Sequence, residues 1–66
     1  MKLGIDIGGT KVALGIVDKN KIVKNIFYLL SKEEKNERDV FLHRIIEEIR
    51  RISHGYKISG IGVASP

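Results

Sequence analysis

The sequence has no cysteine and no tryptophan. Without cysteine there is no disulfide scaffold and no thiolate metal site, and a reducing compartment suits the chain. No apolar run approaches the roughly 20 residues that span a bilayer as a helix. The first apolar stretch is interrupted by Asp6 and several glycines and has no cleavage-like end, so it does not read as a secretory signal. The expectation is a cytoplasmic protein with no membrane partner. Aromatics are scarce as well, two tyrosines and two phenylalanines, which bears on the net charge of +4. Lys19, Lys21 and Lys24 surround one turn, Lys32 and Lys35 flank Glu33 and Glu34, and Arg50 and Arg51 close a helical stretch. No basic stripe interleaved with aromatics emerges, so the positive balance reads as a solvated surface and no nucleic-acid partner is expected.

What is present suits one small domain. A chain of 66 residues buries only about 60% of its unfolded surface, so its core is marginal. Ordinary apolar and charged fractions, 42% and 30%, argue against wholesale disorder. Residues 2–7 alternate, with Leu3, Ile5 and Ile7 on one face and Gly4, Asp6 and Gly8 on the other, which marks a strand. Residues 11–18 repeat the pattern with Val12, Leu14 and Ile16 against Ala13, Gly15 and Val17, small or apolar on both faces as in a covered inner strand. Asp18-Lys19-Asn20 is a polar turn in which Asn20 tolerates a left-handed backbone. Residues 21–30 read as a third strand whose lysines suit an edge.

From about Asn36, Phe41, Ile45, Ile49 and Ile52 recur at helical steps, and Leu42 and Ile46 widen the stripe. Asn36 can cap this helix, Glu37 and Asp39 suit its positive end, Arg50 and Arg51 its negative end, and His54-Gly55 supplies a stop. Residues 57–64 then read as a fourth strand. The order is βββαβ with one amphipathic helix. The long connection between the third and fourth strands permits a crossover, so the fourth can lie parallel to the first. A single helix covers one sheet face, and nothing is left in the sequence to cover the other.

The turn Gly8-Gly9-Thr10-Lys11 between the first two strands carries the chemistry. It is no P-loop, because that motif ends Gly-Lys-Ser/Thr and opens a helix, whereas here threonine precedes lysine and a strand follows. Gly60-Ile61-Gly62 meets Ser65 where a dinucleotide fingerprint needs its third glycine. In the strand–turn–strand unit, glycines permit positive φ and close approach of a ligand to the backbone. Successive amides can converge on an anion, with the Thr10 hydroxyl and the Lys11 ammonium as further donors. Asp6 lies near the bend on the same side as Gly8. A carboxylate beside a phosphate repels it unless a cation intervenes, and Mg²⁺ is commonly held by one or two carboxylates and waters. Gly-Gly is also an ordinary hairpin signal and Asp6 could be a structural acid, so on spacing alone both readings stay open.

The stretch LGIDIGGTKVALGIVD (residues 3–18) resembles the first phosphate motif of the actin-like ATPase and sugar-kinase superfamily, and more narrowly of the ROK family of repressors and sugar kinases. GIGVASP at residues 60–66 is similar to that family's Gly-Ile-Gly-Val-Pro-Gly-Pro, with Ala64-Ser65 in place of Pro-Gly. The resemblance implies an α/β, ribonuclease-H-like fold, with residues 1–66 as the N-terminal portion of the first of two actin-like ATPase domains. It further implies Asp6 near Mg²⁺, Gly8, Gly9, Thr10 and Lys11 near the phosphates of ATP, and phosphoryl transfer to a hexose hydroxyl. The family's catalytic aspartate, its sugar-binding region with a zinc site and its adenine-holding domain are expected downstream of Pro66. His43, His54, Asp18 and Asp39 read as surface, turn and helix-start residues. The isolated chain is expected to bind ATP weakly or undetectably and to phosphorylate nothing. A repressor of the same family would carry a helix-turn-helix ahead of the hairpin, and the hairpin here starts just after Met1, which favours the kinase reading. A non-catalytic module that self-associates or aggregates through its bare sheet is the reading from a different class.

Overall fold

The computed structural model describes residues 1–65. Four strands, β1 (Lys2–Ile7), β2 (Lys11–Asp18), β3 (Lys21–Leu29) and β4 (Gly60–Ala64), form one sheet in the order β3-β2-β1-β4. The first three are an antiparallel meander, and β4 lies parallel to β1 with Leu3 beside Ile61 and Ile5 beside Val63. The fold class and the parallel placement of β4 are as the sequence implied. β4 is shorter than expected, beginning at Gly60 rather than Lys57, because β1 starts at Lys2, the partner of Gly60. Before it, Ser59 gives its N–H (2.8 Å) and hydroxyl (3.1 Å) to the Met1 carbonyl.

The β2–β3 turn has Lys19 at φ 50° and Asn20 at φ 67°. Two consecutive left-handed residues match the right-handed strand twist in a two-residue hairpin. Asn20 was the expected one, and Lys19 joins it. A bulge follows at Ile16/Val17.

The helical region is two helices rather than one. α1 (Lys32–Asn36) is capped by Ser31, whose hydroxyl accepts the Glu34 N–H at 3.1 Å, while Glu34 Oε1 accepts the Ser31 N–H at 2.9 Å. This reciprocal capping box satisfies two otherwise orphaned donors. Asn36 is therefore the last residue of α1 and not a cap. Glu37, extended at φ −121°, separates α1 from α2 (Arg38–Ser53), which starts with no side-chain cap bond. Gly55 at φ 84° turns the chain away after α2.

α2 packs on β2 and β3. Its inward stripe of Phe41, Ile45, Ile49 and Ile52 meets Leu3, Ile5, Val12, Leu14, Ile16 and Tyr28 in one core. Leu42 and Ile46 do not widen that stripe but stay exposed. The reason is the position of α2 over β2 and β3, with Arg44, on the opposite flank of the helix, stacked 4.2 Å above the Tyr28 ring of β3. By helical spacing Leu42 and Ile46 lie on the flank of α2 away from Arg44, and both remain exposed.

The shortest extent of the fold, 16 Å between Cα atoms, accommodates one sheet and one helical layer at the usual ~10 Å spacing. One sheet face is open, as expected.

A polar cluster ties α1 to the rest. Glu34 and Glu48 are buried, and the Arg44 guanidinium lies 3.7 Å from Glu34 Oε1. Tyr28 Oη and Glu34 Oε2 are buried without a protein partner. Burial and then the nearby Glu34 charge raise the Tyr28 pKa above 10.0. The Ser31 backbone N–H is the main force holding the Glu34 carboxyl below its usual 4.5, with Arg44 adding to it. A carboxylate with a depressed folded pKa stabilises the fold above its unfolded value and loses that contribution as pH falls through the lower folded one. Thermal melts below about pH 4.5 are therefore expected to lose stability faster in the wild type than in Glu34→Gln. Parallel acid profiles for the two proteins would contradict this role.

Candidate functional site

The β1–β2 turn is built differently from expectation. Gly8 donates its N–H to the Lys11 carbonyl at 2.8 Å. Neither Gly8 nor Gly9 has a positive φ, which among the described glycines belongs to Gly55 alone. Left-handed freedom is therefore not what these positions use. A Cβ on Gly8 would stand 3.1 Å from the Lys11 carbonyl oxygen, so close backbone approach within the turn accounts for that glycine. A Cβ on Gly9 would meet nothing within 4 Å. No internal contact requires glycine there, and the space beside it is open to a ligand.

The committed Gly8 amide leaves a smaller donor set. Gly9 and Thr10 give their N–H groups to no backbone acceptor among the described residues. Thr10 instead accepts the Leu30 N–H at 2.8 Å, which fixes the back of the turn to the start of α1. The free donors are the Gly9 and Thr10 amides, the Thr10 hydroxyl and the Lys11 ammonium.

Register places Asp6 opposite Ala13 on β2 and Ala64 on β4, on the open face. It is exposed and enters no ion pair or side-chain hydrogen bond among the described residues. Lys11 shares that face and holds its Nζ 5.4 Å from the centre of the Phe27 ring. The structure thus brings Asp6, Lys11 and the bare turn together at one end of the open face.

One feature escaped the sequence reading. Gly62, Gly4 and Gly15 are aligned across β4, β1 and β2, with Asn25 of β3 next in the row. They form the floor of a trough of about 1010 Å³ along which Asp6, Lys11 and Phe27 stand. The glycines were visible in the sequence, but their alignment depends on strand register.

The two histidines lie on the surface and Asp39 at a helix start, as expected. His43 is exposed and pairs with Glu47 at 2.8 Å, His54 is exposed, and Asp39 sits in the first turn of α2. Asp18 ends β2. No group of three or more potential metal ligands exists among the described residues, and no helix is long and apolar enough to cross a membrane. Pro66, the end of the second motif, lies outside the described residues.

A lone carboxylate with no partner beside a donor-rich turn fits Mg²⁺. That ion keeps several waters and takes one or two carboxylates plus substrate phosphates, not an all-protein cage.

The sequence matches no protein-family profile and no curated protein. Among solved structures, a ROK family glucokinase from Streptomyces griseus, determined with glucose and AMPPNP, superposes with a TM-score of 0.79 at 25% identity over 97% of this chain. The Aquifex aeolicus PPX-GPPA enzyme superposes at 0.64 and 19% identity over 96% of the chain, a likeness of fold alone. This chain spans 20% of the first protein and 25% of the second. In structure it is similar to a piece of a ROK sugar kinase, in agreement with the resemblance carried by residues 3–18.

Proposed function

We propose that this chain is the phosphate- and Mg²⁺-binding part of an ATP-dependent sugar kinase, residues 1–66 forming the N-terminal portion of its first actin-like ATPase domain. The observation that carries this reading is the site at the β1–β2 turn. There an unpartnered Asp6 and Lys11 on the open face adjoin a turn with an unfilled Gly9 and the free donors of Thr10, in a chain whose fold matches that of a glucokinase solved with a nucleotide analogue. Asp6 would hold the Mg²⁺. The Gly9 and Thr10 amides, the Thr10 hydroxyl and Lys11 would hold the β- and γ-phosphates, and Gly8 would shape the turn. When bound, the metal neutralises phosphate charge during transfer to a hexose hydroxyl, a reaction that depends mainly on positioning and electrostatics. The base that takes the hydroxyl proton, the sugar contacts, any zinc site and the adenine pocket would belong to other parts of such an enzyme.

Magnitudes limit what this part does by itself. Hydrogen bonds to a charged group are worth about 1.5–3 kcal/mol net, and association costs roughly 4–15 kcal/mol before any gain appears. Four such donors at mid-range supply about 9 kcal/mol, close to the middle of the association cost, so a dissociation constant of about 1 mM or weaker is expected. In a titration of the chain with AMPPNP, amide chemical shifts are expected to move at Gly8, Gly9, Thr10 and Lys11 only at millimolar nucleotide. Those shifts should need Mg²⁺ and vanish in Asp6→Asn. Shifts centred on another part of the sheet, or independent of Mg²⁺, would overturn the assignment.

A further inference from the structure

We propose that Glu34 is a positioning residue for the β1–β2 turn, acting through the capping box of α1 and the Leu30 N–H; what that turn binds rests on the nucleotide reading above. α1 has five residues, too few to persist as a helix without tertiary support. Glu34 supplies that support. Its Oε1 accepts the Ser31 N–H at 2.9 Å and lies 3.7 Å from the Arg44 guanidinium of α2. Arg44 is itself seated on the Tyr28 ring of β3 at 4.2 Å. One carboxylate thus joins the N-cap of α1 to both α2 and β3.

Capping alone does not call for burial. A capping-box glutamate serves as well on the surface, whereas taking a carboxylate out of water is costly. Glu34 is only 7% exposed, and its Oε2 is buried with no protein partner among the described residues. What the burial secures is the place of the segment in front of α1. Ser31 follows directly on Leu30, whose N–H reaches the Thr10 carbonyl at 2.8 Å. The Thr10 carbonyl and the Lys11 N–H share one rigid peptide plane. Holding that carbonyl therefore sets the plane between the residues that supply the hydroxyl and ammonium donors. α1 and the turn also line one cavity of about 470 Å³, Gly9 from the turn and Glu34, Lys35 and Asn36 from α1. A shift of α1 moves the Thr10 carbonyl and changes the room beside Gly9. The supporting bonds lie within residues 10–44, and none uses a strand edge or sheet face that a longer chain would cover.

In the 66-residue chain without nucleotide, Glu34→Ala is expected to speed hydrogen exchange of the Leu30 amide about fivefold or more. The reference is the amide of Leu14 in β2, a strand paired on both sides. The Gly9 and Thr10 amide chemical shifts are expected to move in the same variant. Ser31→Ala removes the other half of the box from an exposed position and is expected to act alike, even if Glu34→Ala fails to fold. Ser31→Thr and Glu34→Gln keep the acceptors and are expected to restore wild-type values. Glu33→Ala, at an exposed position of the same helix, is expected to change neither reading.

The consequence for phosphate binding is read in a chimera carrying this chain in place of the matching part of the Streptomyces griseus glucokinase. There Glu34→Ala is expected to raise KM for ATP about tenfold with KM for glucose unchanged. A merely structural role would instead lower the active fraction, and so kcat, with both KM values unchanged. Wild-type Leu30 exchange with unmoved Gly9 and Thr10 shifts in Glu34→Ala and Ser31→Ala would overturn the proposal. So would an unchanged KM for ATP in a chimera that Asp6→Asn still slows. A chimera indifferent to Asp6→Asn overturns the nucleotide reading instead, and the shifts in the free chain then decide the coupling by themselves.

Discussion

Asp6→Asn is expected to reduce phosphoryl transfer about 100-fold, the scale on which loss of one group that orients a metal acts, without measurable loss of fold. The assay calls for an enzyme with its remaining parts, such as a chimera in which this chain replaces the matching fifth of the Streptomyces griseus glucokinase. The argument is electrostatic. On the proposed reading Asp6 is the one carboxylate beside the phosphate turn, and asparagine keeps its shape while removing the charge that attracts Mg²⁺. Neutralising an acid next to bare phosphates would otherwise ease anion binding, so the two possible roles of Asp6 predict opposite changes. A metal-holding acid makes the variant slower and its Mg²⁺ requirement steeper. A merely repulsive acid makes nucleotide bind more tightly with or without metal. Stability discriminates nothing here, since Asp6 is exposed and unpaired, and surface changes of this sort usually stay within about 0.5 kcal/mol. Unchanged kcat in a folded chimera would remove the metal role.

Ile16→Ala is expected to leave the chain largely unfolded at room temperature. Ile16 is fully buried in β2, between Leu3 of β1 and Lys24 of β3 in register, in the core that also holds Ile52, likewise at 0% exposure. Truncating such a side chain costs about 2–5 kcal/mol, as lost transfer energy plus a cavity. At about 0.05–0.15 kcal/mol per residue a domain of this size has roughly 3–10 kcal/mol in all, and a core this small places it toward the low end. The core is one layer deep, because a single helical layer covers the sheet, so neighbouring layers cannot collapse into the void. Ile22→Ala, on the exposed edge, is the control and should melt close to the parent. With a midpoint shift of about 4–8 °C per kcal/mol in small domains, a loss of less than 5 °C for Ile16→Ala would mean that β2 is not the centre of the core.

Period-two and helical patterns sufficed for the bounds of β1 and β2, the inward stripe of α2 and the crossover to a parallel β4. Apolar spacing decides which face of an element is buried, and that is a local property. The start of the helical region was also legible, though at a different place. Ser31-Lys32-Glu33-Glu34 is a capping-box sequence, and it prevails over Asn36 because it satisfies two donors reciprocally. The turn stood out through its composition, yet the physical reason for its glycines was not legible. Composition cannot distinguish a glycine that needs a left-handed backbone from one crowded by a carbonyl, as Gly8 is, or from one that leaves space empty, as Gly9 does.

The sequence by itself determined three strands, a helical region and a fourth strand in that order, the buried faces of β1 and α2, and a donor-rich turn next to one acid, because these depend on neighbours within a few residues. Only the tertiary structure decided that the Gly8 amide is spent inside the turn, that three glycines line up across separate strands, and that α2 covers β2 and β3 while β4 stays bare. Each of these depends on register and on where a helix settles over a sheet, set by contacts between residues far apart along the chain.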